Sequence, residues 1–349
     1  MAEGRCGRSM DRVILDEILP CLPVKLRSAL LTLPAELLAR THEIRLRRGR
    51  PVMLIAGDDE VFVSSRGGVA PGPDEGYILN DQEALATLQL MAGSSIYSFE
   101  DELRQGYITL RGGHRVGIVG RAVVQDGAVK VIKDVSGFCI RVSHEVLGAA
   151  DLVMPHLVKS RNRLFHTLIV SSPRCGKTTL LRDIARQASD GIPSLGLTGL
   201  RVGIVDERSE IAACFGGVPQ NTVGLRTDVL DACPKAAGMI MLVRSMSPDL
   251  VATDEIGREE DAVAVREVMN AGVSIVATAH GESPEDVARR PALRCLFEAQ
   301  MFERVVTLSS AEGPGTVETV LDLRTGKAIF TRSTRQGPAG TAGRGLAGA

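Results

Sequence analysis

Residues 171–181 read S-S-P-R-C-G-K-T-T-L-L. They follow the apolar run Leu164–Val170 and open a segment, Lys177–Ala188, with the composition of a helix. A buried strand, a turn of small residues, Gly-Lys-Thr and a helix can be joined in few ways. The first N–H groups of a helix lack internal partners and point at one spot, where the helix dipole adds partial positive charge. This is the layout of a phosphate-binding loop. Gly176 lets the backbone approach a phosphate, Lys177 supplies a full charge, and the Thr178 hydroxyl is placed to hold Mg²⁺. The strict pattern has Gly where this chain has Ser171. If that position needs φ > 0, Ser costs about 1–2 kcal/mol more there than Gly. Taken alone, the stretch also reads as a chance Gly-Lys-Thr at a helix start.

The remaining strand ends bear on that choice. Phosphoryl transfer needs an acid near Mg²⁺ and a group that activates water. The run D-L-V-A-T-D-E-I-G ends an apolar strand with Asp254 and Glu255. Both then project from the carboxyl edge of a sheet, where ligands bind. Asp254 is expected to orient Mg²⁺ through water, and Glu255 to polarise the attacking water. Asp206 and Glu207 open a second acidic patch, D-E-R-S-E, at the end of another strand. Three acids within five residues repel unless a cation or an arginine compensates. His280 follows A-T-A at a third strand end and is expected to sense the terminal phosphate. The blander readings are solvated turns for the acids and a structural role for the histidine.

Composition limits the alternatives. The chain has 349 residues, 44% hydrophobic and 24% charged, enough for about two domains with real cores. A net charge of −1, no Trp, 3 Tyr and 8 Phe give neither the field nor the stacking platforms of a nucleic-acid binder. The seven cysteines form no C-x-x-C pair, which argues against a zinc site or a disulfide framework and suits a reducing cytosol. Cys175 sits where a helix N-terminus lowers a thiol pKa; it also simply fits a tight turn. No signal peptide and no membrane-spanning run is read, so a membrane role would act through partners.

Along the chain, residues 10–147 read as an α+β N-terminal domain. Helices are expected at 11–19, 24–33, 35–40 and 82–91, the last capped by Asn80-Asp81. Mostly antiparallel strands are expected at 43–47, 51–55, 61–63, 107–110, 115–124, 128–133 and 138–142, with a weak cap at Ser98 and Asp101. Arginines 45, 47, 48, 50, 104, 111, 115, 121 and 141 crowd this half. They read either as solvated faces or as contacts to nucleotide or a neighbouring subunit, Arg115 and Arg121 foremost. A helix near 149–159 leads into residues 148–330, read as an α/β domain built around the phosphate loop. Its strands at 200–206, 250–254 and 273–278 are short, apolar and β-branched, the mark of a parallel sheet covered on both faces. A helix at 258–271 stops at Gly272, and a hairpin spans 305–308 and 316–323. Arg226 and Arg244 are further candidates for nucleotide or subunit contacts. Residues 336–349 read as a disordered Gly/Ala-rich tail.

The order phosphate loop (Ser171–Thr178), acidic box (Asp206–Glu210), acidic strand end (Asp254–Glu255) and histidine (His280) resembles the RecA-like ATPases of type II and type IV secretion systems and pilus motors. More closely, V-D-E-R-S-E-I, G-V-P-Q-N, R-T-D-V-L-D-A-C-P-K-A, R-S-M-S-P-D, D-E-I-G-R-E-E-D, E-I-R-L-R and G-G-H-R-V-G-I-V-G-R resemble signatures of the stage III sporulation protein AA family. The likeness covers roughly residues 10–325. It implies a cytoplasmic, Mg²⁺-dependent ATPase working as a homo-hexamer on membrane-embedded proteins of a channel built during endospore formation. It also implies no direct membrane insertion. The expected ATP-binding run is Ser171, Ser172, Pro173, Arg174, Cys175, Gly176, Lys177, Thr178 and Thr179. Thr178 and Asp254 are expected to hold Mg²⁺, and Glu255, Glu207, Asp206 and His280 to carry the catalysis. A nucleotide-gated scaffold with little turnover and a nucleic-acid-handling ATPase stay open as alternatives.

Overall fold

The computed structural model describes residues 13–93, 106–125, 127–143 and 145–332. The cap expected at Ser98 and Asp101, Arg104 and the tail from 336 lie outside them. Contacts group the chain into two compact units, 1–147 with 204–234, and 148–203 with 235–349.

The first unit opens with helical turns at Ile14–Ile18 and Leu19–Cys21, then α1 (Val24–Leu31) and α2 (Ala35–Arg40). Strands β1 (Thr41–Arg47), β2 (Met53–Ala56) and β3 (Asp59–Phe62) precede α3 (Asp81–Met91). The Asn80 side chain accepts the Glu83 N–H, and the Glu83 carboxylate accepts the Asn80 N–H, a complete capping box. Strands β4 (Tyr107–Thr109), β5 (Arg115–Gln125) and β6 (Ala128–Arg141) complete an antiparallel sheet ordered β3-β2-β1-β6-β5-β4. Successive strand residues face opposite sides. Ile44, Leu46, Val116, Ile118, Phe138 and Ile140 therefore fill one core with Ile14, Ile18 and Leu30. Arg45, Arg47 and Arg141 take the alternate positions.

The strands expected at 128–133 and 138–142 are one. Asp134 adopts φ 48, and the register jumps from Val119↔Gly137 to Arg121↔Lys133. A bulge absorbs the intervening residues, so the strand bends instead of ending.

In the second unit the helix expected at 149–159 is a single turn, α4 (Met154–Leu157). Val158 leaves helical geometry, and the chain makes a small hairpin, β7 (Val158–Ser160) with β8 (Arg163–Leu164). Strand β9 (Thr167–Ser171) is wholly buried and leads through the 172–176 turn into α5 (Lys177–Asp190). Leu180, Leu181, Ile184, Ala185 and Ala188 give α5 a buried face. Each buried Leu or Ile contributes about 2 kcal/mol. Strand β10 (Val202–Asp206) begins in this unit, where Arg201 and Asp249 exchange a two-pronged ion pair, and runs out of it at Ile204.

Residues 204–234, read from sequence as part of the second domain, group with the first unit. Polar ties join this segment to residues of that unit. Arg115 bonds Glu210 at 2.7 Å while lying over the Tyr107 ring at 3.7 Å. The Gly112 N–H donates to Gln220 at 2.9 Å. Thr222 bonds Glu145 through both its N–H and its hydroxyl. The segment carries β11 (Thr227–Asp231).

The chain then returns to the second unit with α6 (Lys235–Met246), β12 (Leu250–Thr253), α7 (Glu259–Asn270) and β13 (Ser274–His280). Gly272, at φ 82, follows α7 as expected. Short helices α8 (Pro284–Ala288) and α9 (Pro291–Glu298) lead to β14 (Arg304–Ser309), β15 (Thr316–Asp322) and β16 (Lys327–Thr331). Strands β12, β13, β9 and β14 are neighbours in that order, all parallel, and β15 and β16 extend the sheet antiparallel. The hairpin expected at 305–323 gains β16, a strand the sequence reading lacks.

Candidate phosphate-binding site

The parallel register sets the site. Ser171 ends β9 opposite His280, Ile169 opposite Thr278, and Ala277 opposite Thr253 on β12. The ends of β9, β12 and β13 thus share one edge of the sheet. Ser171 has no positive φ; the left-handed residues of the turn are Arg174 (φ 63) and Gly176 (φ 84). The strain expected of Ser171 therefore falls on Arg174, where it costs about 1 kcal/mol.

Lys177 is buried and folds back over the loop. Its Nζ donates to the Ser171 carbonyl at 2.9 Å, the Ser171 hydroxyl at 3.1 Å and the Ser172 carbonyl at 2.8 Å. Burial lowers its pKa, opposed by electrostatic interaction with the Cys175 and Glu255 side chains. Three loop oxygens thus gather on one ammonium. The cap of α5 is Gly176, which offers the first N–H groups no side chain. A Cβ there would meet Gly315 N at 2.7 Å, so only glycine fits this cradle. Residues Ser172–Cys175 and Thr178–Thr179 complete the turn and first helical turn. These residues suit a polyphosphate.

Glu255 lies just past β12 in a left-handed conformation, φ 45. Thr278 holds it there: the Glu255 N–H donates to Thr278 Oγ1 at 2.7 Å and the Ile256 N–H to the Thr278 carbonyl at 2.8 Å. The carboxylate Oε1 is 3.3 Å from His280 Nε2. His280 Nδ1 is buried and makes no hydrogen bond, which assigns the ring proton to Nε2, facing Glu255. Asp254, the neighbour of Glu255 in sequence, is buried; an Asp carboxylate and a Thr hydroxyl such as that of Thr178 are the hard oxygen donors that Mg²⁺ takes.

Asp206 and Glu207 belong to the first unit. Asp206 is fully buried, and its carboxylate accepts the N–H groups of Glu210, Ile211 and Ala212 at 2.8–2.9 Å. Burial still raises its pKa over these bonds, as does the Asp231 charge. Its oxygens are committed to folding the 207–212 turn. Glu207 sits in that turn and raises the Cys233 pKa together with burial. Arg121 pairs with Asp134 at 2.9 Å on the surface of the first unit, and Arg244 lies in the last turn of α6. Sequence reasoning missed Thr278 and Gly315. A lone polar residue inside the apolar β13 run is the signal that finds Thr278.

The fold and this edge define a RecA-like P-loop core with an N-terminal domain, the architecture of secretion and pilus ATPases. The X-ray structure of the Legionella pneumophila ATPase DotB superposes with a TM-score of 0.54 at 14% identity, covering 86% of this chain and 79% of that one. The pilus retraction motor PilT with bound ADP gives 0.52 at 13%, over 82% and 78%. The chain belongs to the family described as "Sporulation stage III, protein AA", whose model matches residues 14–328. It is 43% identical over 308 residues to Stage III sporulation protein AA of Bacillus subtilis (strain 168), covering 88% of this chain and 95% of that protein. Protein SEEDLING PLASTID DEVELOPMENT 1 of Arabidopsis thaliana is 30% identical over 227 residues, 64% of this chain but 30% of that protein. No helix among the described residues is long and apolar enough to cross a membrane.

Proposed function

We propose that this chain is a Mg²⁺-dependent ATPase whose turnover drives movement in a ring of copies, energising a secretion-like channel during sporulation. The observation that carries it is Lys177 Nζ on three oxygens of its own loop, at the sheet edge that also bears Glu255 and His280. The amides of the 172–179 turn and Lys177 would bind the phosphates, exchanging loop oxygens for phosphate oxygens. Thr178 and Asp254 would hold Mg²⁺, which neutralises charge developing on the phosphates. Glu255 takes the proton of the attacking water, and His280 reports the terminal phosphate by giving its Nε2–H to it. Asp206 and Glu207 act at one remove, by shaping the 206–212 turn. The domains of this reading are 10–147, an α+β N-terminal domain, and 148–330, a RecA-like ATPase domain.

A ring of copies, six by the family likeness, belongs to this reading and would favour a motor over a static scaffold. Membership of the sporulation family favours a channel over a nucleic acid as the object of the work. The test is ATP turnover and mass in solution, with and without an ATP analogue, for the wild type and Glu255→Gln. A monomer under every condition, or no turnover in an assembled ring, ends the motor reading.

A further inference from the structure

The turn joining β14 to β15 lies against the phosphate loop. The Gly315 N–H donates to the Cys175 carbonyl at 2.9 Å. Gly315 N and Cα stand 2.7 and 2.9 Å from where a Cβ on Gly176 would be. Two glycines, at φ 84 and φ 92, thus meet backbone to backbone. In a trans peptide the carbonyl and the following N–H point opposite ways. Pinning the Cys175 carbonyl to the hairpin therefore fixes the Gly176 N–H pointing away from it. Rotation of that one peptide plane would replace a donor with an acceptor in the phosphate loop.

The turn is itself held from behind. The Thr316 hydroxyl donates to the Gly313 carbonyl at 2.7 Å and accepts the Glu312 N–H at 3.3 Å. Arg332, just after β16, pairs with Glu312 and, at 3.5 Å, with Glu318 on β15. Its own N–H bonds the Glu318 carbonyl at 2.9 Å. The guanidinium therefore ties the turn to the outer strands of the sheet.

We propose that the Glu312–Gly315 turn is a positioning element of the nucleotide site. It locks the Cys175–Gly176 peptide in its anion-binding orientation, and Arg332 sets its tension through Glu312 and Glu318. The ligand it serves is the polyphosphate of a nucleotide, so the idea rests on the phosphate-loop reading above. Arg332 touches no part of the loop, which makes it the place to test the brace.

The experiment compares wild type, Arg332→Ala, Arg332→Lys and Glu312→Gln by two measurements. The first is amide exchange across 174–178 in the nucleotide-free protein. The second is the Kd for inorganic tripolyphosphate and for ATP. Arg332→Ala is expected to speed exchange at 174–178 and weaken tripolyphosphate binding, each by about tenfold. Lys at 332 should restore part of both, and Glu312→Gln, which leaves the Glu318 contact, should give a smaller effect. Unchanged exchange at 174–178 in both Arg332→Ala and Glu312→Gln overturns the brace, even if the hairpin itself loosens. A wild type that binds neither ligand overturns the nucleotide reading instead, while the exchange rates still judge the brace.

Discussion

Glu255 Oε1 lies 3.3 Å from His280 Nε2, and the other ring nitrogen of His280 is buried without a partner. The histidine thus has one usable donor, and it is directed at the carboxylate proposed as general base. A terminal phosphate that took this donor would release Glu255 toward water. Sensing and activation are then one exchange of a hydrogen bond. Glu255→Gln is expected to lower turnover by about 10²–10⁴-fold with ATP affinity kept within a few-fold. His280→Ala should also lower turnover but, unlike Glu255→Gln, raise the KM for ATP. Equal kcat and KM effects of both changes would remove this distinction between the two residues.

Ser171→Gly, which restores the strict loop pattern, is expected not to improve nucleotide affinity. Ser171 is a strand residue with no positive φ, and its hydroxyl accepts from Lys177. Glycine there loses that bond and adds backbone freedom, costing about 0.5–1 kcal/mol. Arg174→Gly should do the opposite and raise stability by about 1 kcal/mol, since Arg174 holds φ 63. Thermal unfolding of the two variants checks both signs.

Asp206→Asn should destabilise by about 1–3 kcal/mol without changing the chemistry of the loop. Three main-chain N–H groups share its two carboxylate oxygens, and an amide has one acceptor oxygen to offer them. Denaturant unfolding measures the loss. Turnover of the folded fraction that drops as far as in Glu255→Gln would assign Asp206 a direct catalytic part.

His166, at the start of β9, is 8% exposed, with Nδ1 buried and unbonded. Burial pushes its pKa down to about 4, against the attraction of Glu303 and with the repulsion of Arg163 and Lys159. Between pH 6.5 and about 4 the unfolded chain binds a proton there that the folded chain refuses. Its contribution to stability is thus lost as pH falls through that window, by at most about 3 kcal/mol. Asp206 and Asp231, whose pKa values burial raises, act with the opposite sign. The difference between wild type and His166→Leu isolates the histidine. It should narrow as pH falls from 7 to 4, and a pH-independent difference would remove the assignment.

Much of this site was legible because its residues are short-range signals. Strand, turn, Gly-Lys-Thr and helix occupy consecutive residues, and Asp254, Glu255 and His280 sit where apolar runs stop. Long-range facts were not. That Asp206 serves three N–H groups depends on the turn it folds. That Ser171 escapes strain depends on where the loop places its left-handed residues. The meeting of Gly176 with Gly315 spans 139 positions of sequence, and the G-P-G run at 313–315 reads only as a turn. In the first unit the Asp134 bulge joined two expected strands, because one left-handed residue accommodates what looks like a break.

The grouping of 204–234 with residues 1–147 bears on synthesis. A ribosome releases the amino-terminal residues first, yet that unit is incomplete until Pro234 has emerged. At about 5–20 residues per second the nascent chain waits several seconds with Arg115, Gln220's donor Gly112 and Glu145 unmatched. The unit's hydrophobic core, drawn from residues 14–142, can close before then, and the polar ties to 204–234 are made last.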